Sequence, residues 1–348
     1  MRVLSIVGAR PQFVKLAPIS WSAQGNFTHQ ILHTGQHYDP LLSESFFNTL
    51  NIPNPDFQLN AGSGLHGEQT GKMLTDIEQV LIKNEPDHVI VYGDTNSTLA
   101  GAIAASKLNI PISHIESGLR SFNRRMPEEI NRVITDHCSS MLFAPTLNAM
   151  LNLKKEGLDE ISFFSGDVMV ETLRYIRNRS HFEIQSSEYI FATIHRAENT
   201  DKPERITQII SELRESTIPV HLHCHPRLKK VLETLNLNGD SENLKIYEPL
   251  DYVSTINKIL GASGVITDSG GLQKEAYILE KPCLIVRTES EWVEALNEGS
   301  NFLDPELVRV KEKWWSGNKS RSNPNIFGDG MASKFIVELI KNYKSSNT

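Results

Sequence analysis

Seven short runs rich in valine and isoleucine recur along the chain and constrain its fold more than any other feature. They are VLSIVG from Val3, HVIVYG from His88, PISHIE from Pro111, YIFATI from Tyr189, VHLHC from Val220, GVITDS from Gly264 and PCLIV from Pro282. Between them lie segments with helical spacing of apolar residues, such as Glu68 to Lys83 and Leu99 to Leu108. Strands that alternate with helices, and that are apolar on both faces, predict an α/β fold with parallel sheets. The series restarts near residue 189, after the polar stretch from Arg177 to Glu188. A chain of 348 residues is long for a single core. The expectation is therefore an N-terminal α/β domain over 1–170, a C-terminal one over 171–330, and a last helix over 331–348 that could pack back on either, the N-terminal domain being the candidate. Ligands of open parallel sheets sit outside the carboxyl ends of the strands, so two such domains facing each other would share one cleft.

Composition narrows the class. Hydrophobic residues make up 39% and charged residues 22%, ordinary for a globular protein. The net charge of -7 speaks against a nucleic-acid surface, which normally carries a basic excess. Three widely spaced cysteines imply no disulfide framework. The opening MRVLSIVGARP is too short and too soon interrupted to be a signal peptide, and no stretch approaches the ~18 apolar residues of a membrane span. The chain reads as cytoplasmic.

Polar residues cluster where the strands end: GARPQFVK, GDTNSTLAG, ESGLRSFNRRMPEEINR, HRAEN and DSGGLQKE. In the last of these, Ser269, Gly270 and Gly271 open a helix, whose free N–H groups and positive dipole end suit a phosphate that glycines allow to approach. The alternative is that Asp268 or Ser269 only caps the helix and the glycines make a tight turn. Glu275 lies on the same helix, where it suits ribose hydroxyls or simply faces solvent. Asp94, Glu116 and Glu128 each sit at or just beyond a strand end, and with His195 and Arg196 they form a candidate proton-transfer set. Arg10 and Lys15 suit a leaving diphosphate, or else form a surface pair behind Pro11.

Three patterns carry less. GSGLHG, Gly62 to Gly67, has the G-x-G-x-x-G spacing but follows DFQLNA rather than a buried strand, and reads as a flexible loop. His221, His223 and His225 alternate but lack a fourth partner for a metal. No G-x-x-x-x-G-K-[ST] loop occurs.

Taken together, GARPQFVK, HTGQHYD, YGDTNSTLAG, HIESGLRS, MPEEINR, GDVMVETL, HRAEN, TDSGGLQKEA and FGDGMAS resemble the non-hydrolysing UDP-N-acetylglucosamine 2-epimerases along nearly the whole chain. The resemblance implies two Rossmann-like domains in the glycosyltransferase-B arrangement with the active site in the cleft between them. It also implies a homodimer, a UDP-sugar substrate, and no metal or other cofactor. Such enzymes remove the C2 proton, expel UDP to leave a 2-acetamidoglucal, and add UDP back with protonation on the opposite face. By motif, Asp94, Glu116, Glu128 and His195 would be catalytic. Arg10, Lys15, Ser269, Gly270 and Gly271 would hold the diphosphate, and Glu275 the ribose. Gln36 and His37 resemble the region where some members bind a second, activating UDP-GlcNAc. A glycosyltransferase of the same architecture and a non-catalytic nucleotide-sugar sensor are the rival classes.

Two departures stand out. Many members read Gly-Thr-Arg-Pro-Glu where this chain has Gly8 to Gln12, and Thr-Glu-Arg-Pro-Glu where it has Ser290 to Glu294. The SEWVE and SFNRRMPEE segments resemble a subgroup acting on UDP-2,3-diacetamido-2,3-dideoxyglucuronate, an O-antigen precursor. Arg124 or Arg125 would then pair with the sugar carboxylate, the alternative being an exposed basic loop.

Overall fold

The computed structural model describes residues 1–36, 46–179, 188–297, 300–312, 323 and 325–343. The chain divides into two compact units, Met1–Arg174 with Asn325–Thr348, and Tyr175–Pro324. Each is an α/β unit built on one parallel sheet, the fold class that the strand–helix alternation predicts.

The first unit has seven strands: β1 (Arg2–Val7), β2 (Thr28–His33), β3 (Phe57–Gln58), β4 (His88–Tyr92), β5 (Ile112–Ile115), β6 (Met141–Ala144) and β7 (Ser162–Phe164). Their order is β3-β2-β1-β4-β5-β6-β7, so the direction of winding reverses between β1 and β4. A crevice at such a reversal, outside the carboxyl ends, is where open parallel sheets take ligands. Leu4, Ile6, Val89 and Val91 from the strands bury against Ala100, Ala104 and Ala105 of the helix Asn96–Lys107. Small alanines let this helix lie close to the sheet and place its N-terminus at the strand ends.

The last described helix, Ala332–Asn342, packs on the helix Arg10–Ala23 of the same unit. Ile336, Val337 and Ile340 are buried on its inner face, each worth about 1.5–3 kcal/mol relative to exposure. Ser333 is clasped by Glu171, its amide donating at 2.8 Å. The segment leading into this helix crosses the chain after β7 at Gly166 and Gly328, both at positive φ. A Cβ on Gly166 would sit 2.9 Å from the Gly328 Cα, so neither position accommodates a side chain.

The second unit has six strands: β8 (Ile190–Thr193), β9 (Val220–His223), β10 (Leu244–Tyr247), β11 (Gly264–Thr267), β12 (Cys283–Ile285) and β13 (Asn301–Leu303). Their order is β10-β9-β8-β11-β12-β13, with the reversal between β8 and β11. Ile190, Ala192, Leu222, Ile266 and Leu284 lie at its centre with no exposure. All seven valine- and isoleucine-rich runs are strands, and β2, β3, β6, β7, β10 and β13 join them. The helix Met169–Arg179 spans the passage from one unit to the next.

Candidate functional site

At the first unit's carboxyl edge, Gln12 ties the loop after β1 to the end of β4. Its Oε1 accepts from the Gly8 and Ala9 amides at 2.7 and 3.0 Å. Its Nε2 donates to the Tyr92 carbonyl and to Thr98 Oγ1, both at 3.0 Å. A glutamate here could not make the two donations. Arg10 is exposed where the loop thus fixed enters the helix Arg10–Ala23, and Pro11 takes the first turn of that helix. Lys15 is 5% exposed, so it is no surface residue. Its Nζ lies 3.2 Å from Glu116 Oε1, and both side chains are largely buried. A buried cation of this kind persists only with its partner, because desolvation penalises the lone charge.

Glu116 is the first residue past β5 and adopts φ 72°. Left-handed backbone at a non-glycine costs on the order of 1–2 kcal/mol, and such positions concentrate at functional sites. Asp94 follows β4, the neighbour of β5, and its Oδ2 lies 2.6 Å from the Arg132 guanidinium. The two carboxylates that end adjacent strands thus each face their own cation.

The helix Pro127–Cys138 supports this edge. Glu128, in its first turn, is exposed, whereas Glu129 turns inward and is 2% exposed. Glu129 accepts from the Ser121 and Phe122 amides at 2.8 and 3.0 Å and from Arg132 at 3.0 Å. Burial alone would raise the Glu129 carboxyl, but the Ser121 and Phe122 hydrogen bonds and Arg132 outweigh it and hold it below the usual range. Arg132 therefore bridges Glu129 and Asp94. One helical turn on, Asp136 takes His114 Nδ1 at 2.6 Å and Arg120 at 2.7 Å. Its burial would raise it too, yet His114 and Arg120 keep it ionised. Glu129, Arg132 and Asp136 fall at i, i+3 and i+7, a polar stripe on the inward face. That spacing was the available sequence signal for residues that motif reading passes over. Arg124 and Arg125 are exposed in the loop before this helix.

The second unit's edge is organised around Asp268, which is fully buried. It does not cap the helix Gly270–Ile278; Ser269 does, its Oγ accepting from the Leu272 amide at 3.4 Å. Asp268 instead reaches across to the loop after β8, accepting from the His195 and Arg196 amides at 3.1 and 3.0 Å and from Asn199 Nδ2 at 3.0 Å. The two glycines behave differently. A Cβ on Gly270 would sit 2.2 Å from Glu291 Oε1, which is held by a buried ion pair with Arg287 at 2.9 Å. On Gly271 a Cβ would meet nothing closer than Ser269 Oγ at 4.0 Å. Gly270 is thus required by packing, while Gly271 leaves an open side at the helix N-terminus. Glu275 is 5% exposed, so the solvent-facing alternative for it does not hold. Trp292 is also buried. Its Nε1 donates to the Gly270 carbonyl at 2.9 Å and its ring lies 4.5 Å beneath the Lys274 Nζ. Trp292 thus shores up the glycine turn from inside the unit.

The weaker patterns resolve as structure. GSGLHG is not wholly loop, since His66 and Gly67 form the first turn of the helix His66–Asn84. Its His66 accepts from Asn96 Nδ2 at 3.1 Å. His221 and His223 stack with Tyr189 and Phe191 at 4.3 and 5.0 Å, while His225 caps the next helix. Among the described residues no group of metal-ligating side chains is present, and no helix is long and apolar enough to cross a membrane. Gln36 is 7% exposed and accepts from the Ser97 amide at 2.9 Å. His37 lies outside the described residues.

Each edge can be set beside known proteins. A family model described as UDP-N-acetylglucosamine 2-epimerase matches residues 20–341. The chain is 47% identical to a UDP-N-acetylglucosamine 2-epimerase homolog of Methanococcus maripaludis, over 98% of this chain and 100% of the relative. It is 44% identical to the UDP-2,3-diacetamido-2,3-dideoxy-D-glucuronate 2-epimerase of Pseudomonas aeruginosa, over 98% and 99%. Among solved structures, it is similar to the Methanocaldococcus jannaschii UDP-GlcNAc 2-epimerase in complex with UDP-GlcNAc and UDP. That similarity has 41% identity and a TM-score of 0.89, over 98% of this chain and 99% of that one. These matches run through both units and both strand-end clusters, and the chain belongs to the UDP-N-acetylglucosamine 2-epimerase family of isomerases.

Proposed function

We propose that the protein is a non-hydrolysing 2-epimerase that interconverts UDP-GlcNAc and UDP-ManNAc by eliminating UDP and adding it back. The observation that carries this reading is the pair of carboxylates on adjacent strand ends, Asp94 against Arg132 at 2.6 Å and Glu116 against Lys15 at 3.2 Å. One carboxylate takes the C2 proton; the C–H electron pair becomes the C1–C2 double bond, and the C1–O pair leaves with UDP. Re-addition reverses these movements after a proton arrives on the opposite face of C2. Asp94, Glu116 and Glu128 share that work, with His195 as a fourth participant. Arg10 and Lys15 oppose the charge that grows on the diphosphate. Ser269, Gly270 and Gly271 offer it the helix N-terminus, Arg196 stands beside them, and Glu275 takes the ribose hydroxyls. On the family resemblance, the reading extends to a cytoplasmic homodimer feeding surface polysaccharide synthesis and to a second UDP-GlcNAc bound near Gln36 and His37.

A second reading has its own support. The Pseudomonas aeruginosa relative is named for UDP-2,3-diacetamido-2,3-dideoxy-D-glucuronate, and Arg124 and Arg125 are exposed beside the helix that carries Glu128. An arginine there suits a C6 carboxylate.

Proton NMR in heavy water with each nucleotide sugar separates the two. Deuterium at C2 with a manno product from UDP-GlcNAc supports the first reading. Exchange with the diacetamido-uronate alone supports the second, and exchange with neither overturns both.

A further inference from the structure

His114 lies in β5, two residues before Glu116, and is fully buried with both ring nitrogens engaged. Nδ1 is 2.6 Å from Asp136 Oδ1, and Nε2 is 2.8 Å from the Gly93 carbonyl oxygen. A carbonyl oxygen can only accept. Asp136 accepts as well, since its Oδ2 also takes the Gly118 amide at 3.1 Å and Arg120 at 2.7 Å. A neutral imidazole has one N–H, so either tautomer would set a lone pair against one of these oxygens inside the core. Only the doubly protonated ring donates at both contacts. The charges around it agree. Arg120 is shared between Asp136 and Glu156, its Nε 2.7 Å from Glu156 Oε1, so one guanidinium faces two carboxylates. The half-exposed His137 stands against Glu156 at 3.2 Å, which leaves His114 as the second cation on Asp136.

The far end of this contact is the turn that carries Asp94. Gly93 follows β4, adopts φ 62° and immediately precedes Asp94. Its amide donates to the Ile115 carbonyl at 2.9 Å while its carbonyl takes His114, so β5 clamps one peptide at both ends. A Cβ on Gly93 would lie 3.5 Å from Glu116 Oε1 and 3.6 Å from Lys15 Nζ. The turn therefore runs directly against that ion pair.

We infer that His114 is a positioning residue: an imidazolium anchored on Asp136, whose Nε2–H holds the Gly93 carbonyl and so sets Asp94 beside Glu116. It aligns two carboxylates of the proposed epimerisation, on which this inference rests, and exchanges no proton itself because both nitrogens are occupied.

The test is nitrogen-15 NMR of the labelled full-length protein at mildly alkaline pH, with the His114 signals assigned by their loss in His114→Gln. Both ring nitrogens are expected to carry protons in the wild type. A bare nitrogen at either position overturns the proposal without any variant, so a His114→Gln protein that does not fold leaves the test standing. In the folded variant, which lacks the ring charge, kcat should fall ~100-fold while KM and the Kd for UDP stay within about threefold. An unchanged kcat would reduce His114 to core packing, and a parallel loss of UDP affinity would make it a general support of the unit; either overturns the proposal. If the wild type exchanges C2 hydrogen with neither sugar, the epimerase reading fails by itself, and the nitrogen-15 spectrum still decides the state of His114.

Discussion

The two units use the same parallel-sheet plan and arm its carboxyl edge differently. The first unit's edge is a set of paired charges on side chains: Lys15 with Glu116, Arg132 with Asp94 and Glu129, and Asp136 with His114 and Arg120. The second unit's edge is mostly backbone: amides gathered by Asp268, and a helix N-terminus left open at Gly271. Side-chain acids held by cations suit proton movement, and oriented N–H groups suit a bound anion. The fold is shared and does not choose between these chemistries; the residues at the strand ends do.

That contrast is broken most severely by Glu116→Gln. Losing one carboxylate should lower kcat by ~10²–10⁴-fold while UDP binding persists, as steady-state kinetics and calorimetry would show. A parallel fall in UDP affinity would mean that Glu116 acts in binding instead, through its partner Lys15. Next comes the glycine pair. Gly270→Ala should destabilise the protein by roughly 1–3 kcal/mol, since its Cβ has 2.2 Å to Glu291 Oε1, whereas Gly271→Ala should leave the melting temperature unchanged and weaken UDP binding. Equal melting temperatures for the two variants would remove the distinction drawn between packing and ligand approach.

Acid should also separate the units. Burial lowers His29, His33 and His88, all in the first unit, from 6.5 to about 4. The unfolded chain then binds protons between these values that the folded unit refuses. Their stabilisation is complete above pH 6.5 and is lost as pH falls toward 4, on the order of 2–3 kcal/mol per histidine. Hydrogen exchange near pH 5 should show the first unit losing protection before the second, and the reverse order would contradict this. The smallest effect is expected at Arg125→Ala, in an exposed loop. Melting temperature and UDP-GlcNAc turnover should not change, and KM for the diacetamido-uronate should rise about tenfold if a bidentate contact is lost. An unchanged KM on active enzyme would remove Arg125 from that role.

Much of this organisation is legible in the sequence, for a definable reason. Strands buried on both faces must be apolar throughout, so the Val/Ile runs announce themselves and the polar residues that follow mark the edge. Phe57–Gln58 is too short to show a pattern, and its pairing with β2 alone makes it a strand. The burial of Lys15 is not legible, because its partner Glu116 lies a hundred residues away in sequence and is brought to it by the sheet. The same holds for Gly270, whose need for glycine is set by Glu291. Asp268 and Ser269 both precede the glycines and both are good capping types, so only the structure separates cap from clasp.

The division of labour itself is tested most directly by UDP calorimetry on Glu116→Gln and Gly271→Ala side by side. The expected Kd is within about threefold of the wild type for the first and weakened at least ~tenfold for the second. The opposite ranking would contradict it, making the Arg10 and Lys15 side the main diphosphate anchor and leaving the open helix N-terminus without that role.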